Sequence, residues 1–120
     1  MQDFRQLQVW QKSHALTLAI YAATGGFPRD ELYGLTSQMR RSAGSIPTNL
    51  AEGCGRGGVT ELARFAQIAR GSASELEYQL LLACDLKLLT TADYDEFSDR
   101  LAEIQKMLAS FHQAVIQRGA

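Results

Sequence analysis

FSDRLAEIQKMLASFHQAV, residues 97–115, carries the most regular pattern in the chain. Its large apolar side chains recur at alternating intervals of four and three residues: Phe97, Leu101, Ile104, Leu108, Phe111 and Val115. Such spacing places them all on one face of an α-helix, in which about 3.6 residues complete a turn. The pattern predicts an amphipathic helix over about 92–117, and its apolar face needs other helices to cover it.

Three further helical segments precede this one. Their predicted bounds are about 3–24, 29–53 and 60–89, and segments that contain glycine or proline separate them. The predicted inward stripe of the first helix consists of Phe4, Leu7, His14, Leu18 and Tyr21, widened by Val9, Leu16 and Ile20. Four amphipathic helices with short connections predict an all-α fold, an antiparallel up-down four-helix bundle that forms a single domain over residues 1–120.

Pro47 falls inside the second predicted helix, where its ring removes one backbone hydrogen bond. We expect a kink at this point. We also expect Asn49 or Ser45 to donate a hydrogen bond to the carbonyl oxygen that Pro47 leaves free.

The third helix carries more apolar surface than one inward face requires. One stripe comprises Phe65, Ala69, Ser72, Leu76, Leu80 and Ala83, and a second comprises Leu81, Cys84 and Leu88. Within a four-helix bundle each helix needs to bury only one stripe in its own subunit. The second stripe therefore predicts contact between copies of the chain, that is, a homo-oligomer.

Composition excludes several classes of protein. The chain has 120 residues, and its hydrophobic fraction of 46% is typical of a globular domain and too high for a disordered one. Two cysteines are too few for a disulfide scaffold, and no apolar run is long enough to span a membrane. Since no apolar leader follows Met1, the predicted location is the cytoplasm.

The charges are unevenly distributed, although the net charge is only −1. Residues 29–70 contain six arginines and four acids, whereas residues 71–120 contain eight acids and four bases. Every base in the first of these segments is arginine, whose planar fork suits bidentate contacts with phosphate or carboxylate. Five of them are the candidate nucleic-acid-binding residues: Arg40, Arg41, Arg56, Arg64 and Arg70.

Three stretches of the chain resemble a known protein family. They are FRQLQVWQKSH at residues 4–14; FP at 27–28 with ELYGLTSQMRRSA at 31–43 and SIPTNLAEG at 45–53; and RF at 64–65 with IARGSASE at 68–75. These stretches are similar to the four-helix bundle proteins encoded in intervening sequences of bacterial 23S ribosomal RNA genes. That family is similar in turn to the accessory variability determinant protein of diversity-generating retroelements.

The resemblance implies an antiparallel four-helix subunit assembled into a barrel-like, ring-shaped homopentamer. It also implies nucleic-acid binding, because the retroelement relative works with a reverse transcriptase and RNA. It supplies no catalytic residue and no cofactor.

Each candidate arginine has an alternative interpretation. Arg40 and Arg41 lie off the apolar stripe of the second helix. They contact either phosphate or an acid, such as Glu52 or Glu75, of the same subunit or of a neighbouring one. The other three either extend the same patch or form an ordinary solvated surface: Arg56, Arg64 and Arg70.

The glycines at positions 53, 55 and 58 have the spacing of a dinucleotide-binding loop, but a helix precedes them where that loop requires a strand. We interpret them as an interhelical turn. Alternatively, the amides at the start of the third helix hold a phosphate beside Arg56. Trp10 and Tyr33 are predicted to pack at the ends of the bundle rather than to stack on bases.

No constellation of residues points to an enzyme. His14 is predicted to be a hydrogen-bonded core residue and His112 a surface residue, and neither has the glutamate spacing of a diiron bundle. Cys54 and Cys84 have no cysteine or histidine at zinc-ligand spacing. The sequence therefore predicts no catalytic residue, no metal and no cofactor.

Three hypotheses of function remain. The leading one is a non-enzymatic homo-oligomer that binds RNA or DNA through arginines of the second and third helices. The second is a protein-interaction adaptor whose basic patch docks a protein partner, which the near-neutral net charge favours. The third, an enzyme, has no supporting motif.

Overall fold

The part of the chain that the structure describes contains four α-helices. The computed structural model describes residues 2–119, and the helices are α1 (Gln8–Thr24), α2 (Ser37–Arg56), α3 (Val59–Asp85) and α4 (Thr91–Gly119). Short 3₁₀ turns occupy Phe4–Gln6 and Arg29–Glu31, and a wider turn occupies Leu32–Thr36. The described residues contain no β-strand, which confirms the all-α prediction. Met1 and Ala120, which belong to the predicted domain, lie outside the described residues.

The starts of α1 and α2 differ from the predicted bounds. α1 begins at Gln8 because the residues before it form a separate turn, in which the Asp3 carboxylate accepts the Arg5 N–H at 3.0 Å. α2 begins at Ser37 rather than near residue 29. Gly34 interrupts the segment before it with φ −108° and ψ −116°, so the chain reaches a regular helix only after this turn.

The ends of α2 and α3 also differ from expectation. α2 continues to Arg56 and stops where Gly57 adopts the left-handed conformation, at φ 75°, that glycine tolerates without steric cost. α3 ends at Asp85 instead of near residue 89. Lys87 has a positive φ of 62°, and the Leu88 N–H donates back to a carbonyl of the last turn, a Schellman-type termination.

Adjacent helices run antiparallel. Thr17 of α1 contacts Ala43 of α2, whereas Thr24 contacts Arg40, so the residue numbers run in opposite directions along the two helices. The same reversal appears between α2 and α3 and between α3 and α4, in the pairs Ser45–Ser72, Gly53–Phe65, Arg70–His112 and Glu77–Gln105. The helices form an up-down bundle of 47 × 23 × 20 Å.

The core extends along the bundle and draws on all four helices. The large side chains that are almost fully buried include Leu16, Ile20, Met39, Ile46, Leu50, Leu76, Leu80, Leu101, Ile104 and Leu108. The predicted stripe of α4 is confirmed, with Phe111 the one half-buried member. Burial of this apolar surface supplies the main driving force for folding.

The predicted inward face of α1 is confirmed for Val9, Leu16 and Ile20, which are buried, and wrong for three other members. Leu18 and Tyr21 are 59% and 49% exposed, and His14 is exposed and stacked on the Trp10 ring at 4.9 Å instead of lying in the core. The helix also buries Ser13 and Thr24, which the prediction did not include. The two polar members of this face are compatible with burial, because each hydroxyl donates to a carbonyl of its own helix.

Pro47 lies within a continuous α2, and a residue of the neighbouring helix compensates for its missing N–H. The Ala43 carbonyl oxygen, four residues before Pro47, is 3.1 Å from the Thr17 hydroxyl of α1. That hydroxyl is also 2.8 Å from the Ser13 carbonyl, so its proton is shared between two acceptors. The expectation that Asn49 or Ser45 would serve this carbonyl is therefore wrong, since the Asn49 amide donates to Ser45.

We expect Thr17→Val to lower the free energy of unfolding by about 1 kcal/mol, because it leaves the Ala43 carbonyl without a donor. In a Pro47→Ala background the restored backbone N–H supplies that donor, so the same change should cost clearly less. Urea unfolding of the two single variants and the double variant measures this coupling. Equal costs in the two backgrounds would contradict the role assigned to Thr17.

The second apolar stripe of α3 is only partly exposed. Leu81 is 44% exposed, but Cys84 is half-buried and Leu88 packs against the core of its own subunit. Tyr78 and Ile68 add to the outer surface of the helix, at 62% and 40% exposure. The surplus apolar surface that motivated a homo-oligomer therefore exists, with a different membership from the predicted stripe.

Candidate nucleic-acid interface

Arg40 joins the end of α1 to the start of α2. Its Nε donates to the Thr24 hydroxyl at 2.9 Å, its Nη2 donates to the Tyr21 carbonyl at 3.3 Å, and its guanidinium lies 4.7 Å from the centre of the Tyr21 ring. All these partners are neutral. The side chain is held in place by α1, and its positive charge is not compensated by a carboxylate.

Arg41 is exposed and has little to hold it. Its Nη2 donates to the Ser37 hydroxyl one turn earlier, at 3.2 Å. Glu75 lines a cavity of about 140 Å³ together with Arg41, but no ion pair forms between them. The predicted alternative, an ion pair of Arg40 or Arg41 with Glu52 or Glu75, is therefore absent within residues 2–119 of this subunit.

Arg56 and Arg64 belong to an ion-pair cluster at the opposite end of α2. Arg56 lies 2.9 Å from Glu52 and 3.7 Å from Glu61, and Arg64 lies 3.1 Å from the same Glu61. Both guanidinium groups also lie over the Phe65 ring, at 5.3 and 4.4 Å. The hydrogen bond from Arg64 lowers the pKa of Glu61, so this carboxylate stays ionised and neutralises its neighbours.

Arg70 faces α4 from the middle of α3. It donates to the Gln67 side chain at 3.3 Å and lies 3.4 Å from the Nδ1 of His112. With Ser74 and Gln105 it borders a shallow groove of about 320 Å³. His112 is half-buried in this contact rather than a free surface residue.

The five arginines do not form one continuous patch on a single subunit. Arg40 and Arg56 are separated by 16 residues of one helix, which corresponds to about 24 Å along its axis. The structure brings Arg40 next to Arg41, and Arg56 next to Arg64. Arg70 lies at an intermediate height along the bundle axis.

The surface around Arg40 and Arg41 also contains exposed aromatic and apolar side chains. A cleft of about 500 Å³ is lined by Tyr21, Leu32, Tyr33, Thr36, Ser37, Arg40 and Arg41. A neighbouring cleft of about 200 Å³ adds Arg29 and shares Arg40 with the first. We call these residues, Tyr21, Arg29, Leu32, Tyr33, Arg40 and Arg41, the α1–α2 end surface.

Tyr33, like Tyr21, is a residue of this surface that sequence reasoning misplaced. Its side chain is 93% exposed instead of packing at the bundle end, whereas Trp10 is half-buried and does pack against the core. A large apolar ring left in water is unusual and marks an interaction surface when others lie beside it. Within ELYGLTS, the glycine directly after the tyrosine was the one available signal for an irregular turn.

The glycine-rich segment lacks the strand that a dinucleotide-binding loop requires before it, whereas a phosphate at the first amides of α3 stays a prediction. Gly53 and Gly55 lie within α2, and the connection to α3 consists of Gly57 and Gly58 alone. The expected interhelical turn is therefore shorter than residues 53–58. The Gly58 carbonyl accepts the Leu62 N–H at 2.9 Å, as an ordinary first turn of α3 requires.

Other chemistry finds little support in the described residues. Burial raises the pKa of the Cys54 thiol, which keeps it protonated and weakly nucleophilic. Between Gln2 and Gly119, no three histidine, cysteine or acidic side chains come together as metal ligands would. In the same range, no helix combines the length and apolar character needed to cross a bilayer.

Comparisons with known proteins agree with this architecture. A crystal structure of a protein of unknown function from the S23 ribosomal protein family of Bacteroides thetaiotaomicron VPI-5482 is 25% identical and superimposes with a TM-score of 0.77. The alignment covers 87% of this chain and 97% of that one. No curated protein sequence is significantly similar. The pattern of the family described as 23S rRNA-intervening sequence protein matches residues 5–110, which include all five candidate arginines, and the chain belongs to that family.

Proposed function

We propose that the protein is a non-enzymatic, homo-oligomeric bundle that binds RNA or DNA through arginines of α2 and α3. The observation that carries this proposal is the state of Arg41, an exposed guanidinium with no carboxylate partner among residues 2–119 of its subunit, beside Arg40 and an exposed tyrosine. Phosphate groups supply the negative charge that such a surface lacks. The link of the family to a ribosomal RNA gene is consistent with this ligand.

The five arginines differ in what they offer to a phosphate. Arg40, Arg41 and Arg70 form no ion pair with a carboxylate among residues 2–119, so a phosphate does not compete with an acid for them. Arg56 and Arg64 already share Glu52 and Glu61, and a phosphate must compete with these carboxylates. We assign the main contact to the α1–α2 end surface, with Arg70 second.

Homo-oligomerisation would bring several copies of this surface together. The outer face of α3, with Tyr78 and Leu81, offers apolar contact area for a second copy. Repeated weak contacts on one assembly bind a long polyanion far more tightly than a single copy does.

The test of this function is the salt dependence of binding. We expect Arg41→Gln to weaken binding to fluorescently labelled RNA or DNA and to reduce the slope of log K against log salt by about 0.9 for each phosphate that the variant no longer neutralises. Arg56→Gln is the matched control, because its charge is already neutralised by Glu52 and Glu61, and its effect should be smaller. Arg40 is unsuitable, since its removal also breaks the contact between α1 and α2.

An absence of salt-sensitive binding to any RNA or DNA would overturn the proposal.

The second candidate is a protein-interaction adaptor. The exposed ring of Tyr33 and the exposed Leu32 favour it, because aromatic and arginine side chains also dominate protein interfaces. In that case a protein partner should remain bound to the purified protein after nuclease treatment.

A further inference from the structure

The turn that carries Tyr33 is held by a side-chain hydrogen bond, although the ring itself is almost fully exposed. The turn that carries it is closed by Glu31, whose Oε1 accepts the Leu35 N–H at 3.1 Å. A methyl group at Gly34 would stand 3.0 Å from that same oxygen, so the turn is tightly built around this hydrogen bond. The ring therefore projects into water from an ordered segment, and at 93% exposure nearly all of its surface is free for a partner.

Flat groups and positive charge surround this ring. The Arg40 guanidinium covers one face of Tyr21 at 4.7 Å, and Arg41 and Leu32 complete the cleft of about 500 Å³ that Tyr33 borders. A cleft of this volume is within the range of about 300–1,000 Å³ that holds small organic groups. Aromatic rings next to unpaired arginines are the combination with which proteins hold single-stranded nucleic acids.

We propose that Tyr33 stacks on an unpaired nucleobase whose neighbouring phosphate contacts Arg41, so that the preferred ligand is single-stranded nucleic acid. This inference rests on the proposed function and specifies the class of ligand at the α1–α2 end surface. In a duplex both faces of every internal base are covered by adjacent base pairs, and only the end pairs offer a face to Tyr33. A single strand can turn a base out and offer a complete π-face.

Charge favours a nucleic acid over a protein at this surface. Arg29, Arg40 and Arg41 stand near three acids, and one of these, the Glu31 carboxylate, is engaged with the backbone of its own turn. The other two are Asp30, in the turn before Tyr33, and Glu75, which shares a cavity with Arg41 without forming an ion pair. A phosphate beside an exposed base satisfies the arginines and the ring together, which an apolar protein segment does not.

The test compares one sequence of about 20 nucleotides, long enough to span a typical single-strand site, as a labelled single strand and as a blunt duplex, by fluorescence anisotropy at constant salt. We expect the wild-type protein to bind the single strand more tightly. Tyr33→Ala should weaken single-strand binding roughly tenfold and leave duplex binding almost unchanged. Tyr33→Phe retains the ring and should bind like the wild type. Ile116→Ala removes a 45% exposed apolar side chain from α4, outside both the α1–α2 end surface and the outer face of α3, and serves as the control.

The outcomes separate this inference from the proposed function. Equal affinity for single strand and duplex, with salt-sensitive binding that Arg41→Gln reduces, overturns the stacking role and leaves the proposed function standing. If Tyr33→Ala binds the single strand as tightly as the wild type does, the stacking role is likewise overturned and the proposed function stands. Failure of both forms to bind overturns both and favours a protein as the occupant of this surface. Circular dichroism of each variant verifies that the bundle is folded.

Discussion

Leu76→Ala should lower the free energy of unfolding by about 3 kcal/mol, the largest effect we expect from a single substitution. Leu76 is on the inward face of α3 and has no exposed surface, so truncation leaves a cavity that the surrounding helices fill only partly. For a chain of this length the destabilisation corresponds to a fall in melting temperature of roughly 12 °C. Urea and thermal unfolding at a fixed protein concentration measure it.

Leu81→Ala is the matched control on the same helix. Leu81 is 44% exposed, and its truncation should change the stability of the subunit by less than about 0.5 kcal/mol. If the outer face of α3 joins copies of the chain, the variant should instead shift sedimentation equilibrium towards smaller species. Equal destabilisation by the two substitutions would contradict the inward and outward assignment. An unchanged mass distribution would remove this face from the proposed interface.

Gly53→Ala should lower the free energy of unfolding by about 2 kcal/mol, the second largest effect. A Cβ atom at position 53 would stand 3.0 Å from the Phe65 Cβ and 3.1 Å from the Leu62 Cδ1, so α2 and α3 would have to move apart. Overpacking of this kind costs up to about 3 kcal/mol, and the higher helix propensity of alanine offsets about 1 kcal/mol of it. Chemical unfolding gives the value directly, and a stabilised variant would show that the helices yield more easily than their contact distance indicates.

Gly55→Ala should have the opposite sign. Gly55 is in the same helix, two residues further on, and nothing lies within 4 Å of the added Cβ. The substitution then acts mainly through helix propensity, which favours alanine over glycine by about 1 kcal/mol. The pair isolates close helix contact from propensity, because the chemical change is identical at the two positions.

The sequence predicted the type of fold well because apolar periodicity reports burial directly. The α4 stripe and the first stripe of α3 are both buried as their spacing requires. For α1, apolar periodicity predicted the buried face less well, and the cause is physical. Its inward face includes Ser13 and Thr24, which satisfy their hydroxyls within the helix, and its outward face carries Leu18 and Tyr21. Hydrophobicity alone therefore finds the buried Leu16 and Ile20, but it wrongly adds Leu18 and Tyr21 to the inward face.

The arginines were identifiable from the sequence, but the partners of only some of them were. Arg40 contacts residues 16 and 19 positions earlier in the chain, a pairing that exists only once α1 lies against α2. Arg56 and Arg64 were predictable as ion-paired, since Glu52 and Glu61 stand at helical or near-helical spacing from them. The exposure of Tyr33 depends on the geometry of one irregular turn, for which periodic patterns carry no information.

Carboxylates neutralise the candidate arginines at one end of the 47 Å bundle and not at the other, so the two ends differ in charge. At one end, Arg40 and Arg41 form no ion pair with a carboxylate among the described residues. At the other end, Arg56 and Arg64 form ion pairs within the subunit. In an assembly of parallel copies, Arg40 and Arg41 of every copy would lie on the same rim, and the opposite rim would carry the ion-paired Arg56 and Arg64. Copies alternating head to tail would display Arg40 and Arg41 on both rims. The relative direction of neighbouring copies, as much as their number, would then decide how many nucleic-acid strands one assembly can bind.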